Sequence, residues 1–179
     1  MKIIGEKING TRKRVKEAVF GRDAAFVQEL AASQAQAGAH WIDVNAGTPA
    51  EREPGDLAWL VETVQAAVDT PLCLDSANPA ALEAALPRVK QPPLINSISG
   101  EQKRLSGVLP LAARAGGGVI ALAMDDSVIP PGLEGRLAIV RRLIDETRGA
   151  GIADGQVYVD PLVLTIGASG TAGRVALDT

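Results

Sequence analysis

The chain has 179 residues, of which 46% are hydrophobic and 22% charged, with a net charge of −3. That balance is globular and excludes a disordered tail, a collagen-like fibre and a disulfide scaffold. Aromatics make up only 3%, and the longest basic block is Arg12-Lys13-Arg14. A base-stacking platform or a phosphate-backbone footprint needs more of both, so no nucleic-acid partner is expected.

In chain order, an apolar run from Ile3 to Ile8 predicts the first strand, with Glu6 and then Asn9 toward its end. The two apolar residues ahead of Glu6 fall short of a secretory core of roughly 7–15. No stretch nears the roughly 20 residues of a membrane span, so a cytoplasmic protein with no membrane partner is expected. Val27, Leu30, Ala31 and Ala35 recur at helical spacing. His40, the single histidine, follows that helix at the wrong end of the next strand for catalysis. The run Trp41 to Val44 predicts a second strand, on which Asp43 and Asn45, two apart, share a face.

A second helix carries Leu60, Val61, Val64 and Val68, with Asp56 as its expected N-cap. The third strand, Leu72 to Leu74, contains the lone Cys73, read as a small buried hydrophobe, and ends at Asp75. Asn78-Pro79 predicts a capped helix start. A fourth strand at Leu94 to Ile95 ends at Asn96, and Ser99 with Gln102 fits a capping box. Val119 to Met124 gives a fifth strand followed by Asp125 and Asp126. From Leu133 to Thr147, a helical stripe of Leu137, Val140, Leu143 and Ile144 leaves Arg136, Arg141 and Arg142 off it. Val157 to Leu164 gives a sixth strand carrying Asp160, and Gly167 to Gly173 reads as a mobile loop entering a helix.

Strict strand-helix alternation predicts a parallel sheet. No Gly-x-Gly-x-x-Gly follows the first strand and no Walker loop occurs, which favours a (β/α)8 barrel over a dinucleotide-binding sheet. In a barrel the polar strand ends converge on one face, where active sites sit. Short carboxylates and amides in that position suit a flat heterocycle with alternating donors and acceptors, such as a pterin or purine, or a hard cation such as magnesium. A Ser-His-Asp triad and a histidine metal cluster are disfavoured by the single histidine. Lys7 alternates with Glu6 and is a poor candidate for a Schiff base.

At these residues the sequence resembles the methyltetrahydrofolate:corrinoid/iron–sulfur protein methyltransferases. The resemblance runs through Ile3-Ile4-Gly5-Glu6-Lys7-Ile8-Asn9-Gly10, Ile42-Asp43-Val44-Asn45-Ala46-Gly47, Leu72-Cys73-Leu74-Asp75-Ser76, Ile95-Asn96-Ser97 and Tyr158-Val159-Asp160-Pro161-Leu162. The wider pterin-binding group includes the folate domain of cobalamin-dependent methionine synthase and, more distantly, dihydropteroate synthase. The resemblance implies an α/β barrel of the TIM type with a pterin in its mouth and no metal. It implies methyl transfer from N5 of methyltetrahydrofolate to the cobalt(I) of a corrinoid, or cobalamin, on a partner protein. Asp75, Asn96 and Asp160 match pterin-bonding positions and are the implied catalytic residues. Asp43 and Asn45 match the second-strand motif, and Glu6 and Asn9 join the pterin-binding set from the first strand. The basic loop Arg12-Lys13-Arg14 is a candidate contact for the folate tail. A homodimer is expected. The alternatives are a non-catalytic pterin-binding fragment and a transferase like dihydropteroate synthase or the folate domain of methionine synthase.

Strand starts recur at a mean spacing of about 31 residues, so eight units would need about 248, near the roughly 250 of a typical barrel. Residues 1–179 are therefore expected to form one barrel domain incomplete at the C-terminus, with about six of eight βα units and without the seventh-strand asparagine that the resemblance places beside N5. Such a chain is expected to be poorly stable alone or to complete its barrel by association.

Overall fold

The computed structural model describes residues 1–126, 128–163, 165 and 170–179. Six parallel strands pair in chain order: β1 (Ile4–Asn9), β2 (Trp41–Asn45), β3 (Leu72–Asp75), β4 (Leu94–Ile98), β5 (Gly118–Leu122) and β6 (Val157–Asp160). The helices are α1 (Lys13–Gly21), α2 (Ala24–Gln36), α3 (Glu53–Gln65), α4 (Pro79–Ala85), α5 (Gln102–Ala115), α6 (Leu133–Gly149) and α7 (Ala172–Asp178). Among the described residues no pairing of β6 with β1 closes the ring. This is the expected α/β barrel architecture with six βα units.

Side-chain alternation splits the strands into two faces. Ile42, Val44, Leu72, Leu74, Ile95, Val119 and Ala121 face outward and pack with the helices in the main core. A second, smaller apolar cluster lies on the other face, where Cys73, Leu94 and Ile120 meet Ile4, Trp41, Leu122 and Tyr158. Trp41 on β2 and Tyr158 on β6 stand edge to face with centroids 5.6 Å apart. Four strand spacings in a flat sheet would separate them by roughly 19 Å. The sheet is therefore curled, and the second cluster is the floor of a concave inner face.

The loops that follow β1 and β2 approach each other closely at the rim. A Cβ on Gly10 would lie 1.9 Å from the Ala46 carbonyl oxygen, and one on Gly47, at φ +59°, would lie 2.4 Å from the Gly10 carbonyl carbon. The two loops thus touch backbone to backbone. Further back, the β1–β2 register shifts between Gly5 and Ile8, and the buried Gln34 accepts the Lys7 amide at 2.8 Å.

Several local expectations are corrected. Arg12-Lys13-Arg14 is not a loop: Lys13 opens α1, and Arg14 pairs with Asp23 at 2.7 Å while lying over Phe26. Asp56 is not an N-cap, because α3 starts three residues earlier with Pro54 in its first turn. Instead Asp56 is fully buried and held by Arg22 and Arg52, each at 2.6 Å. The Ser99–Gln102 capping box does not form; Glu101 occupies the cap, its carboxylate paired with Arg104 of α5 at 3.7 Å, and Ser99 is buried ahead of it. Arg136 is buried on the same stripe as Val140, Leu143 and Thr147. Spacings of four, three and four had already put it there. Asn78 caps α4 as expected, accepting from the Ala80 amide at 3.1 Å. Leu164 and residues 166–169, within the expected end of the sixth strand and its glycine loop, lie outside the described residues.

Gly47→Ala is expected to lower stability by about 2 kcal/mol, through its left-handed φ and the collision with Gly10. Gly55→Ala, in α3 with open space around it, is the control and should be neutral or stabilising by about 0.5–1 kcal/mol. Urea titration of the two variants measures both.

Candidate functional site

The C-terminal strand ends form a cleft of about 480 Å³ above the apolar floor, with Asn45, Asp75 and Asn96 in its wall. Parallel register puts these three side by side: Val44 pairs with Leu74, and Asp75 pairs directly with Asn96. Asp43 lies one inward step deeper, opposite Cys73. Each carboxylate takes an amide donor from another strand, Asp75 from the adjacent β2 and Asp43 from β4, two strands away. Asn45 Nδ2 donates to Asp75 Oδ2 at 2.8 Å, and Asn96 Nδ2 donates to Asp43 Oδ1 at 3.2 Å.

Depth separates the two acids. Asp43 is only 1% exposed. Burial, and then the charge of Asp75, push its carboxyl up to about 7, against hydrogen bonds from the Cys73 thiol and Asn96 that pull it down. The same burial and the Asp43 charge push the Cys73 thiol up, which keeps it protonated. Cys73 is thus the buried side chain expected, with a polar partner added. Asp75 is half-buried at the cleft wall. Burial raises its carboxyl, the Asn45 hydrogen bond and the Arg104 guanidinium lower it, and the charges of Glu6 and Glu53 raise it.

The other expected residues take different places. Glu6 is exposed, but its charge acts on both Asp43 and Asp75, so it faces the same concavity. Asn9 pairs with Asn45 in register, and its Oδ1 is occupied by the Thr11 amide and hydroxyl at 2.9 and 2.6 Å. Asp160 ends β6 opposite Leu122, and its Oδ1 accepts the Leu162 amide at 2.9 Å. It stands apart from the hydrogen-bonded set of Asp43, Asn45, Asp75 and Asn96. Asp125 turns away to Arg142 at 3.0 Å. His40 lies at the start of β2, accepting the Ile3 amide at 3.2 Å.

The cleft wall also holds polar residues that the sequence reading did not place in the site, among them Glu53, Ser76, Asn78 and Arg104. Ser76 donates to Glu53 Oε1 at 2.5 Å, and Asn78 Nδ2 donates to Glu53 Oε2 at 3.1 Å. Ser76 and Asn78 immediately follow Asp75, and barrel rims are built from such residues; that position was the available signal. Asn45 Oδ1 and Thr48 Oγ1 are closed to solvent and have no hydrogen-bond partner among the described residues.

Comparison with known proteins agrees with this geometry. The family profile described as pterin binding enzyme matches residues 5–176. The chain is 39% identical over 168 residues to the methylcorrinoid:tetrahydrofolate methyltransferase of Eubacterium limosum, covering 93% of this chain and 62% of that protein. It is 27% identical over 171 residues to the methionine synthase of Mycobacterium tuberculosis, covering 92% of this chain and 14% of that protein. The chain thus spans less than two thirds of the length of these relatives. Among solved structures, Yersinia pestis dihydropteroate synthase with a pterine-sulfa conjugate superposes with a TM-score of 0.67 at 21% identity, over 90% of this chain and 59% of that one. That likeness is one of fold. A profile match over nearly the whole chain, on residues that line one cleft, makes this protein a member of the pterin-binding enzyme family.

Proposed function

We propose that the chain is the pterin-holding part of a methyltransferase that moves a methyl group between N5 of a tetrahydrofolate and the cobalt of a corrinoid carried by a partner protein. The observation that carries this reading is the two bonded pairs at the cleft, Asn45 with Asp75 in its wall and Asn96 with the deeper Asp43. The 2-amino-pyrimidinone edge of a pterin presents adjacent N–H donors, which one carboxylate accepts in parallel. Asp75, at the cleft wall, fits that role. Beyond the bond each makes to a carboxylate, the amides of Asn45 and Asn96 each keep a second N–H for the remaining ring atoms. Asp160 is proposed as a further pterin contact from β6. The likeness to the E. limosum protein, at 39% identity, favours methyl transfer over dihydropteroate synthesis.

The chemistry asks little more of this chain. In transfer from methyltetrahydrofolate, cobalt(I) is the nucleophile and N5 the leaving group, and N5 leaves poorly unless it gains a proton or a strong hydrogen bond. In the opposite direction, which the name of the E. limosum protein describes, the N5 lone pair attacks the methyl carbon. The cobalt–carbon electron pair stays on cobalt, and N5 loses its proton to a base. Both directions share one transition state, so a single ring of acceptors and donors serves both. Neither direction needs a nucleophile from the protein.

Two assays decide the matter. Methyltetrahydrofolate with cob(I)alamin, followed by loss of the cobalt(I) absorbance, tests one direction, and methylcobalamin with tetrahydrofolate tests the other. Turnover in either supports the transferase. Pterin binding without turnover supports the alternative, a chain that only binds. Absence of binding overturns both readings. Asp75→Ala should weaken methyltetrahydrofolate binding by about 10–100-fold, the worth of a hydrogen bond to a charged group, and Asn96→Ala by about 2–10-fold, that of a neutral one. Unchanged affinity in both variants would put the pterin elsewhere.

The buried acid adds a pH signature. The Asp43 carboxyl is at about 7 in the fold, against about 3.9 in an unfolded chain, so the folded state holds the proton more tightly. Its contribution to stability is complete below about pH 4 and disappears as the pH rises through about 7. Urea titrations between pH 5 and 8 should show stability falling, by at most about 1.4 kcal/mol per pH unit for this one proton. Asp43→Asn should flatten that slope, and an unchanged slope would show that Asp43 is not its source.

A further inference from the structure

Arg136 is fully buried on α6. Its hydrogen bonds run to backbone carbonyls: Nε donates to Pro130 O at 2.8 Å, and Nη1 donates to Pro161 O at 2.6 Å and Leu162 O at 2.7 Å. A leucine would fill a helix stripe without the cost of burying a charge. What the guanidinium does, and a leucine cannot, is tie two loops at the functional end of the sheet to one helix.

The second of those loops begins at Asp160. Leu162 holds φ +58°, a left-handed conformation uncommon for a residue with a bulky side chain. In that conformation its amide reaches back to Asp160 Oδ1 at 2.9 Å, while its carbonyl meets Arg136. The same residue therefore links the arginine to the carboxylate. Oδ2 of Asp160 lies outside this bond.

We propose that Arg136 is a positioning residue for Asp160: it fixes the Pro161–Leu162 turn whose amide holds one carboxylate oxygen, and so sets the direction of the other. This rests on the pterin reading of Asp160, and two readouts separate the two claims. The first needs no ligand. In Arg136→Gln, amide exchange at Leu162 should be at least about ten-fold faster than in the parent, while the α6 amides of Ile139 and Leu143 keep their protection.

The second is a double-mutant cycle read by methyltetrahydrofolate binding. Arg136→Gln should weaken binding about ten-fold when Asp160 is present and less than about two-fold in an Asp160→Ala background, because both changes remove one interaction. Arg136→Lys, which keeps the charge and can reach one carbonyl, should fall between Gln and the parent. It takes the place of Arg136→Gln in both measurements if that variant does not fold. Unchanged exchange at Leu162, or equal weakening in the two backgrounds, overturns the proposal. A parent chain that binds no methyltetrahydrofolate overturns the pterin reading alone, and the Leu162 exchange still decides whether Arg136 holds the turn.

Discussion

A carboxylate with almost no exposure, held by an amide and a thiol, sets the terms for the inner face of this protein. Asp43 is buried beneath the cleft. A charge there is costly unless hydrogen-bonded, and the fold supplies Asn96 from β4 and Cys73 from β3. Asn96 is thereby oriented from below before any ligand arrives. Asn45 is oriented in the same way by Asp75 on the adjacent strand. Each amide braces a carboxylate on another strand, so the site is preorganised by the residues that compose it.

This arrangement depends on curvature. In a flat sheet the inward side chains of β1 and β6 would be far apart and solvated. The floor of Trp41, Cys73, Leu94, Ile120 and Tyr158 draws the strands round and shields the polar layer from beneath. The Gly10–Gly47 contact does the corresponding work at the rim, where any side chain would force the first two loops apart. The apolar floor and the polar wall are successive inward positions on the same short strands.

Much of this was legible in the sequence because two periods carry it. Alternation on the second strand put Asp43 and Asn45 on one face, and the recurrent polar strand ends marked the cleft. What was not legible depended on partners distant in sequence. Asp56 looks like a cap until Arg22 and Arg52 are seen to enclose it. Arg136 sits at a position whose spacing marks it as buried, but its charge argued for solvent, and only the carbonyls of distant loops make its burial tolerable. Helix α1 was hidden by its basic start, where Arg14 is committed to Asp23 and Phe26. Glu53 enters the cleft from a helix start rather than a strand end, through Ser76 and Asn78.

The strand order has a consequence for how such a molecule is assembled. Among the described residues each strand pairs only with its neighbours in sequence, so every step of sheet growth joins segments one βα unit apart and closes only a short loop. The Trp41–Tyr158 contact is different, since it joins the second strand to the sixth. Growth along the row can proceed unit by unit as the chain lengthens, but the bend in the row is secured only when the sixth strand is in place. The part of the bend that this aromatic pair holds is therefore added last, after the strands that carry Asp43 and Asp75 are already side by side.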